Sequence, residues 1–233
     1  MSNKKETSTA TTELQNLISK LEVDAVGIAS LDEWKGTKLE ETALRLLPEA
    51  RSVVVVAMEV YREILDHASV GKKVDGAPMR DLLERHAEFL AGRLTKAVYD
   101  VAKATHRMEL KALPLPAIGC PLDRRFLKAV FSYKHAAQAA GLGTISRHSL
   151  LITTDFGPRV RLSCCLTEAV LKPTTTKIIY ECGGCHICIE NCPAGALANP
   201  QGDEPYRINK FACSSFRAIS GCSECMRLCP AGR

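Results

Sequence analysis

Residues 182–193 read CGGCHICIENCP. Their spacing, C-x2-C-x2-C-x3-C-P, is that of a run that holds cubane iron–sulfur clusters. Three thiolates two residues apart wrap one cube, while the fourth, followed by proline, is thrown outward to a different cluster. A second set of cysteines is therefore required, and the chain has one: Cys213, Cys222, Cys225 and Cys229, the last followed by Pro230. Zinc is the competing metal, because four-cysteine zinc sites also use C-x2-C pairs. Zinc gives no reason for a third cysteine at the same spacing or for the proline. The pattern favours two 4Fe-4S clusters, and two clusters in one chain imply electrons being moved.

The C-terminal segment is expected to be a small ferredoxin-like domain, and in two-cluster ferredoxins the chain crosses over between clusters. Carried across, that rule gives one cluster Cys182, Cys185, Cys188 and Cys229, and the other Cys192, Cys213, Cys222 and Cys225. The second motif departs from a symmetric ferredoxin, reading C-x8-C-x2-C-x3-C-P. Cys213 thus reaches its cluster across an insertion; the alternative is a core thiol beside a three-iron or absent cluster. Of the other cysteines, Cys164 and Cys165 lie in the apolar run RLSCCLT and read as small buried hydrophobes. Cys120 is a candidate reactive thiol, with Arg124 and Arg125 near enough in sequence to lower its pKa.

At 233 residues the chain has room for one sizeable domain and a small one. A hydrophobic content of 46% with 24% charged residues is ordinary for a globular protein. The net charge of +5 is too mild to argue for a nucleic-acid partner. No apolar run reaches the roughly 18–20 residues that span a bilayer, so no membrane association is expected. The N-terminus, MSNKKETSTATTE, has neither the apolar core of a secretion signal nor a twin-arginine pair, and a cytoplasmic location is expected.

The reading along the chain is a disordered tail over 1–12, an α/β domain over 13–172 and the cluster domain over 173–233. Residues 13–22 have apolar positions at helical spacing, and AVGIASL from Ala25 reads as a strand. VVVVAM from Val53 is a β-branched run, as in a strand buried on both faces. A long helix opens at Pro78, with Leu82, Leu83, His86, Phe89, Leu90, Leu94, Val98 and Val101 on one face. A strand near Leu110–Leu115, a helix from Tyr133 to Ala140 and a glycine turn, AGLG, follow. SLLIT from Ser149 and RVRLSCCLT from Arg159 read as strands paired in a hairpin across Gly157-Pro158, and KPTTTK from Lys172 reads as a linker. The fold class expected is an α/β (α+β) sandwich followed by the cluster domain.

A simple electron carrier has no need of so large an α/β region. The stretch KHAAQAAGLGTISRHSLLITTDFGPRVRLSCCLTEAVL, Lys134 to Leu171, together with the cysteine motifs, resembles the core shared by epoxyqueuosine reductases and reductive dehalogenases. The resemblance implies a cobalamin between the two domains, its lower base detached, receiving electrons from the nearer cluster. It also implies a donor protein such as a ferredoxin or flavodoxin, and a small organic substrate. Three features depart from the family. Leu127 stands where the reductase has its acidic proton donor, and Asp123 is four residues away. The helical-repeat tail used with transfer RNA and the twin-arginine signal of respiratory dehalogenases are both missing. Nucleic acid is therefore not expected as a partner.

Gly141, Gly143 and Arg147 are the candidate cofactor contacts. The glycines allow close backbone approach, and Arg147 lies in a basic stretch with Arg124, Arg125, Lys128, Lys134 and His148. A plain turn and a solvated charged face are the alternatives. Tyr133 and His135 are the candidate proton donors, against simple packing or surface roles. His186, inside the first motif, reads as a neighbour that tunes a cluster. The function expected is an oxygen-sensitive iron–sulfur oxidoreductase that passes electrons to cobalamin, or to a flavin, and reduces a small molecule. The alternative is a non-enzymatic electron-transfer protein that docks a redox partner.

Overall fold

A computed structural model describes residues 11–69, 76–118, 122–175 and 180–232. In chain order the helices are α1 (residues 11–18), α2 (Lys38–Leu46), α3 (Arg62–His67), α4 (Gly76–His106), α5 (Tyr133–Ala139), α6 (Ile187–Glu190), α7 (Lys210–Ser220) and α8 (Glu224–Arg227). The strands are β1 (Ala25–Ser30), β2 (Ser52–Glu59), β3 (Ala112–Leu115), β4 (Leu122–Asp123), β5 (Lys128–Ala129), β6 (Thr144–Ile145), β7 (Leu151–Ile152), β8 (Val160–Thr167), β9 (Leu197–Ala198) and β10 (Arg207–Ile208). Thr11 and Thr12, assigned to the tail by the sequence, are already helical. The chain forms two compact units that interleave in sequence, one from 1–58, 91–142 and 162–177, the other from 59–90, 143–161 and 178–233.

The first unit is built on a four-stranded sheet in the order β1-β2-β8-β3. β1 pairs antiparallel with β2 from Ala25↔Ala57 to Ser30↔Ser52, and β3 with β8 from Ala112↔Thr167 to Leu115↔Cys164. Val53 to Ala57 are fully buried, as a continuous β-branched run in an inner strand requires. The main core gathers Leu14 and Ile18 of α1, Ile28, Val54, Val56 and Cys165 of the sheet, and Leu94, Val98 and Val101 of α4. Cys164 and Cys165 are free, buried thiols, and burial pushes Cys165 up to about 12. They act as the small hydrophobes expected of them.

The structure departs from the sequence reading in three places. Leu82 and Phe89 were expected on the buried face of α4 but are 45% and 61% exposed. The buried stripe is Leu83, Ala87, Leu90 and Leu94, four positions that the helical repeat of about 3.6 residues brings into line. The expected hairpin of SLLIT with RVRLSCCLT is absent. Instead β7 pairs with β6, Thr144↔Ile152 and Ile145↔Leu151, while β8 lies between β2 and β3. The Gly157 turn closes on itself through a bridge with Thr153. The KPTTTK stretch is also no free linker where it is described: Ile28 N–H donates to Thr174 Oγ1 at 3.0 Å, and Thr174 N–H donates back to Ile28 O at 2.9 Å.

Replacing Leu94 by alanine is expected to cost about 2–5 kcal/mol through lost burial and a residual cavity. Leu82→Ala, on the exposed face, should stay within about 0.5 kcal/mol. Urea unfolding midpoints compare the two, and equal losses would contradict the stripe.

Candidate metal centre

The first cysteine motif is shaped by its own backbone. Cys185 N–H donates to Cys182 O at 2.8 Å, and Glu190 N–H donates to His186 O at 3.0 Å to start the short α6. That turn-then-helix buries Cys188 and leaves Cys182 and Cys185 half-exposed. Cys229, buried just after α8, completes the group. All four thiols line one small cavity, with His148 and Tyr180. Burial raises the Cys188 pKa to about 11, and the neighbouring Cys182, Cys229 and Cys185 push in the same direction. These are its three partners in the crossed-over set.

The second group is assembled from three places. Cys192 leaves the first motif, and its sulfur accepts the Ala196 N–H at 3.3 Å. Cys213 rides on α7, which is capped by Asn209 through the Ala212 N–H at 3.1 Å. Cys222 and Cys225 follow the Gly221 turn that ends this helix. Burial raises Cys225 to about 12, with further pushes from Cys213, Cys222, Cys188 and Cys192. Cys213 is raised by burial and Cys192, and Arg217 opposes the shift. Cys222 is raised first by burial, with Glu224, Cys192 and Cys213 adding to it and a hydrogen bond to the Glu224 backbone opposing it. Cys188 is the one thiol of the first group that acts on Cys225.

All eight thiols are free. Among the described residues no three His, Cys, Asp or Glu side chains are grouped around a single metal ion. A tetrahedral zinc site draws its sulfurs around one centre, whereas a cubane accepts one thiolate at each iron corner and spreads them. The donor chemistry fits the larger group: four sulfurs per set, crowded and shielded, whose charge needs iron to offset it.

Several other residues have been placed by the structure in roles different from those the sequence suggested. Arg147 serves the first motif: Nη2 donates to Gly183 O at 2.7 Å, Nη1 to Cys185 O at 3.1 Å, and Nη1 lies 3.0 Å from Nδ1 of His186. Its guanidinium is not free for a cofactor phosphate. Gly141, at φ 74°, ends α5 in a Schellman motif, with Leu142 N–H on Ala137 O and Gly141 N–H on Gln138 O. A Cβ on Gly143 would strike the Ile152 carbonyl, so that glycine permits the β6–β7 approach. The plain-turn alternative accounts for both.

Tyr133 is engaged as well, its hydroxyl donating to Pro116 O at 2.8 Å. His135 is exposed and shares a 2.6 Å hydrogen bond with Ser132 Oγ. Partial shielding of the ring, and then the Lys134 charge, hold its pKa below the usual value. Asp123 is held below the usual carboxylate range chiefly by Arg125, which grips both its oxygens at 3.0 and 2.9 Å. Cys120 lies outside the described residues. Sequence reasoning passed over two residues of the cysteine cavity. His148 was counted only as a basic charge, although it is buried, and its Nδ1 accepts Leu150 N–H at 3.2 Å. Tyr180 stands two residues before the first cysteine, and that proximity was its only signal.

No family model matches the chain. Among curated proteins it is 24% identical over 226 residues to an epoxyqueuosine reductase of Bacillus subtilis, which covers 89% of this chain and 54% of that protein. It is 32% identical over 114 residues to a tetrachloroethene reductive dehalogenase of Desulfitobacterium hafniense, covering 40% and 21%. The chain thus spans about half the length of the epoxyqueuosine reductases it matches. Among solved structures, a catabolic reductive dehalogenase in complex with 3-bromo-4-hydroxybenzoic acid aligns with a TM-score of 0.69 at 21% identity, covering 94% of this chain and 31% of the other. An epoxyqueuosine reductase with a tRNA stem loop aligns at 0.60 and 22% identity, covering 97% and 66%. Its sequence relatives are reductases of two kinds. Homologues named epoxyqueuosine reductase and reductive dehalogenase, with structural neighbours of both, support the superfamily that the two share. Among the described residues no helix is long and apolar enough to cross a membrane.

The lowered pKa of His135 sets a direction for pH dependence. Its imidazole should titrate below 6.5 and be neutral at pH 7. Stability contributed by the neutral ring is present above the unfolded value and lost as pH falls through the folded one. An NMR titration, with His135→Gln to assign the resonance, checks this; a midpoint at or above 6.5 contradicts it.

Proposed function

We propose that this chain is an iron–sulfur oxidoreductase. One 4Fe-4S cluster is held by Cys182, Cys185, Cys188 and Cys229, and the other by Cys192, Cys213, Cys222 and Cys225. The observation that carries the reading is that Cys182, Cys185, Cys188 and Cys229 line one small cavity, the crossed-over set the sequence implies. Electrons enter from a small donor protein, a ferredoxin or flavodoxin, and serve to reduce a small organic molecule.

A cobalamin is the organic cofactor that the family suggests. One solved reductive dehalogenase is described in terms of a mechanism for B12-dependent dehalogenation. When bound, cobalamin supplies a reducible cobalt centre. Gly141 and Gly143 shape turns, and Arg147 donates to backbone carbonyls of the first motif. His135 remains the most accessible of the candidate proton donors.

A nucleic-acid substrate is the second reading. An epoxyqueuosine reductase of similar structure was solved with a tRNA stem loop, which runs against the expectation that nucleic acid is not a partner. A gel shift with such a stem loop tests it, and retention of the RNA by this chain would favour it over a small substrate.

Protein purified without air should be brown and carry about eight iron atoms, four to each cubane. Colourless, iron-free protein would end the reading. Cys213→Ser should reduce the iron to about four to seven atoms, according to whether its cluster is lost or kept in a three-iron form. Titration with cobalamin, followed by its visible bands, tests the cofactor. Turnover of a substrate by the isolated chain with an artificial reductant separates an enzyme from a carrier.

A further inference from the structure

The thiols assigned to the first cluster come from two stretches of chain far apart in sequence, 182–188 and 229. A third stretch, residues 143–161 of the same compact unit, contacts both. On one side, Thr144 Oγ1 accepts the Tyr180 N–H at 3.1 Å. Arg147 donates to the carbonyls of Gly183 and Cys185, fixing the turn that separates the first two cysteines. On the other side, Ile152 packs with Cys229 and Ala231. Gly157 and Gly232 lie backbone against backbone, and a Cβ on either would strike the other's chain. Arg159, 6% exposed, donates from Nη2 to Gly232 O at 2.9 Å and pairs with Glu59 at 3.3 Å.

Each arginine performs a task suited to its chemistry. A guanidinium offers several donors in a rigid plane, so one side chain can hold two carbonyls in fixed relation. Arg147 does this for the first motif. Arg159, from a buried position, holds one carbonyl, that of Gly232, and the Glu59 carboxylate, both from Nη2, and its Nε and Nη1 have no acceptor among the described residues. Its positive charge is therefore only partly compensated by Glu59. A buried cation with spare donors suits a neighbourhood that becomes anionic when thiols ionise on binding iron.

We propose that Arg147 and Arg159 are positioning residues of the first thiolate set. Together they form a two-armed clasp, residues 143–161, that brings Cys229 to Cys182, Cys185 and Cys188 before any cluster is present. The inference rests on the iron–sulfur reading and adds to it a device that pre-assembles one set and leaves the other alone. The clasp touches no cysteine of the second set through the bonds described.

The test compares anaerobically reconstituted wild type with Arg147→Met, Arg147→Lys and the Glu59→Gln/Arg159→Met pair, which leaves no unpaired buried charge. Cys229→Ser and Cys213→Ser supply the reference EPR spectra of proteins impaired in the first and the second cluster. The methionine variants should carry about four to seven irons instead of about eight. Their spectra should match Cys229→Ser and keep the features lost in Cys213→Ser, while Arg147→Lys recovers part of the first cluster's signal. A full iron complement with unshifted midpoint potentials in the methionine variants overturns the clasp. So does equal loss of both clusters in Arg147→Met, because a general structural role would remove both. Iron-free wild type would instead sink the iron–sulfur reading itself, so the two failures are distinguishable.

Discussion

The constraint on which this structure depends is the crowding of eight thiols in one small unit. Burial disfavours their charged form, and each thiolate disfavours its neighbours. Cys188, Cys213, Cys222 and Cys225 are accordingly pushed up, by burial first and then by their thiol neighbours. An arrangement that works against the charge of its own groups is stable in a working state only if something else supplies positive charge. In the proposed reading iron does so, and metal binding in small cysteine-rich units becomes folding free energy.

That constraint accounts for the form of the surrounding chain. The helices that carry the cysteines are short: α6 and α8 have four residues each, and α7 buries none of its side chains. Such elements cannot hold themselves in place by hydrophobic packing. They are held by backbone turns, by caps such as Asn209 and Gly221, and by guanidinium groups reaching from the 143–161 segment. The sheet unit works differently. Its inner strand and Leu94, Val98 and Val101 of α4 follow ordinary apolar burial.

The parts legible in the sequence were those set by local rules. The β-branched run at Val53 could only be an inner strand, and the AGLG turn followed from its glycines. What failed was strand pairing. SLLIT and RVRLSCCLT lie close in sequence with a Gly-Pro turn between them, yet β8 is used in another sheet. A strand's partner is chosen by which surfaces must be covered, and proximity in the chain does not report that. Arg147 was misread for a related reason. A basic residue in a polar stretch looks the same whether it awaits a phosphate or grips two carbonyls.

By itself the sequence marked out the thiols of the first motif, because the C-x2-C-x2-C-x3-C-P spacing is a covalent property of one short segment. Only the tertiary structure brings Cys229 to one cavity with Cys182, Cys185 and Cys188 and sets two arginines against the backbone near them. Those contacts join Arg159 to Gly232 and Arg147 to Gly183, residues separated by 73 and 36 positions. Hydrogen bonds of that range depend on where folding brings the backbone, and no local pattern encodes them.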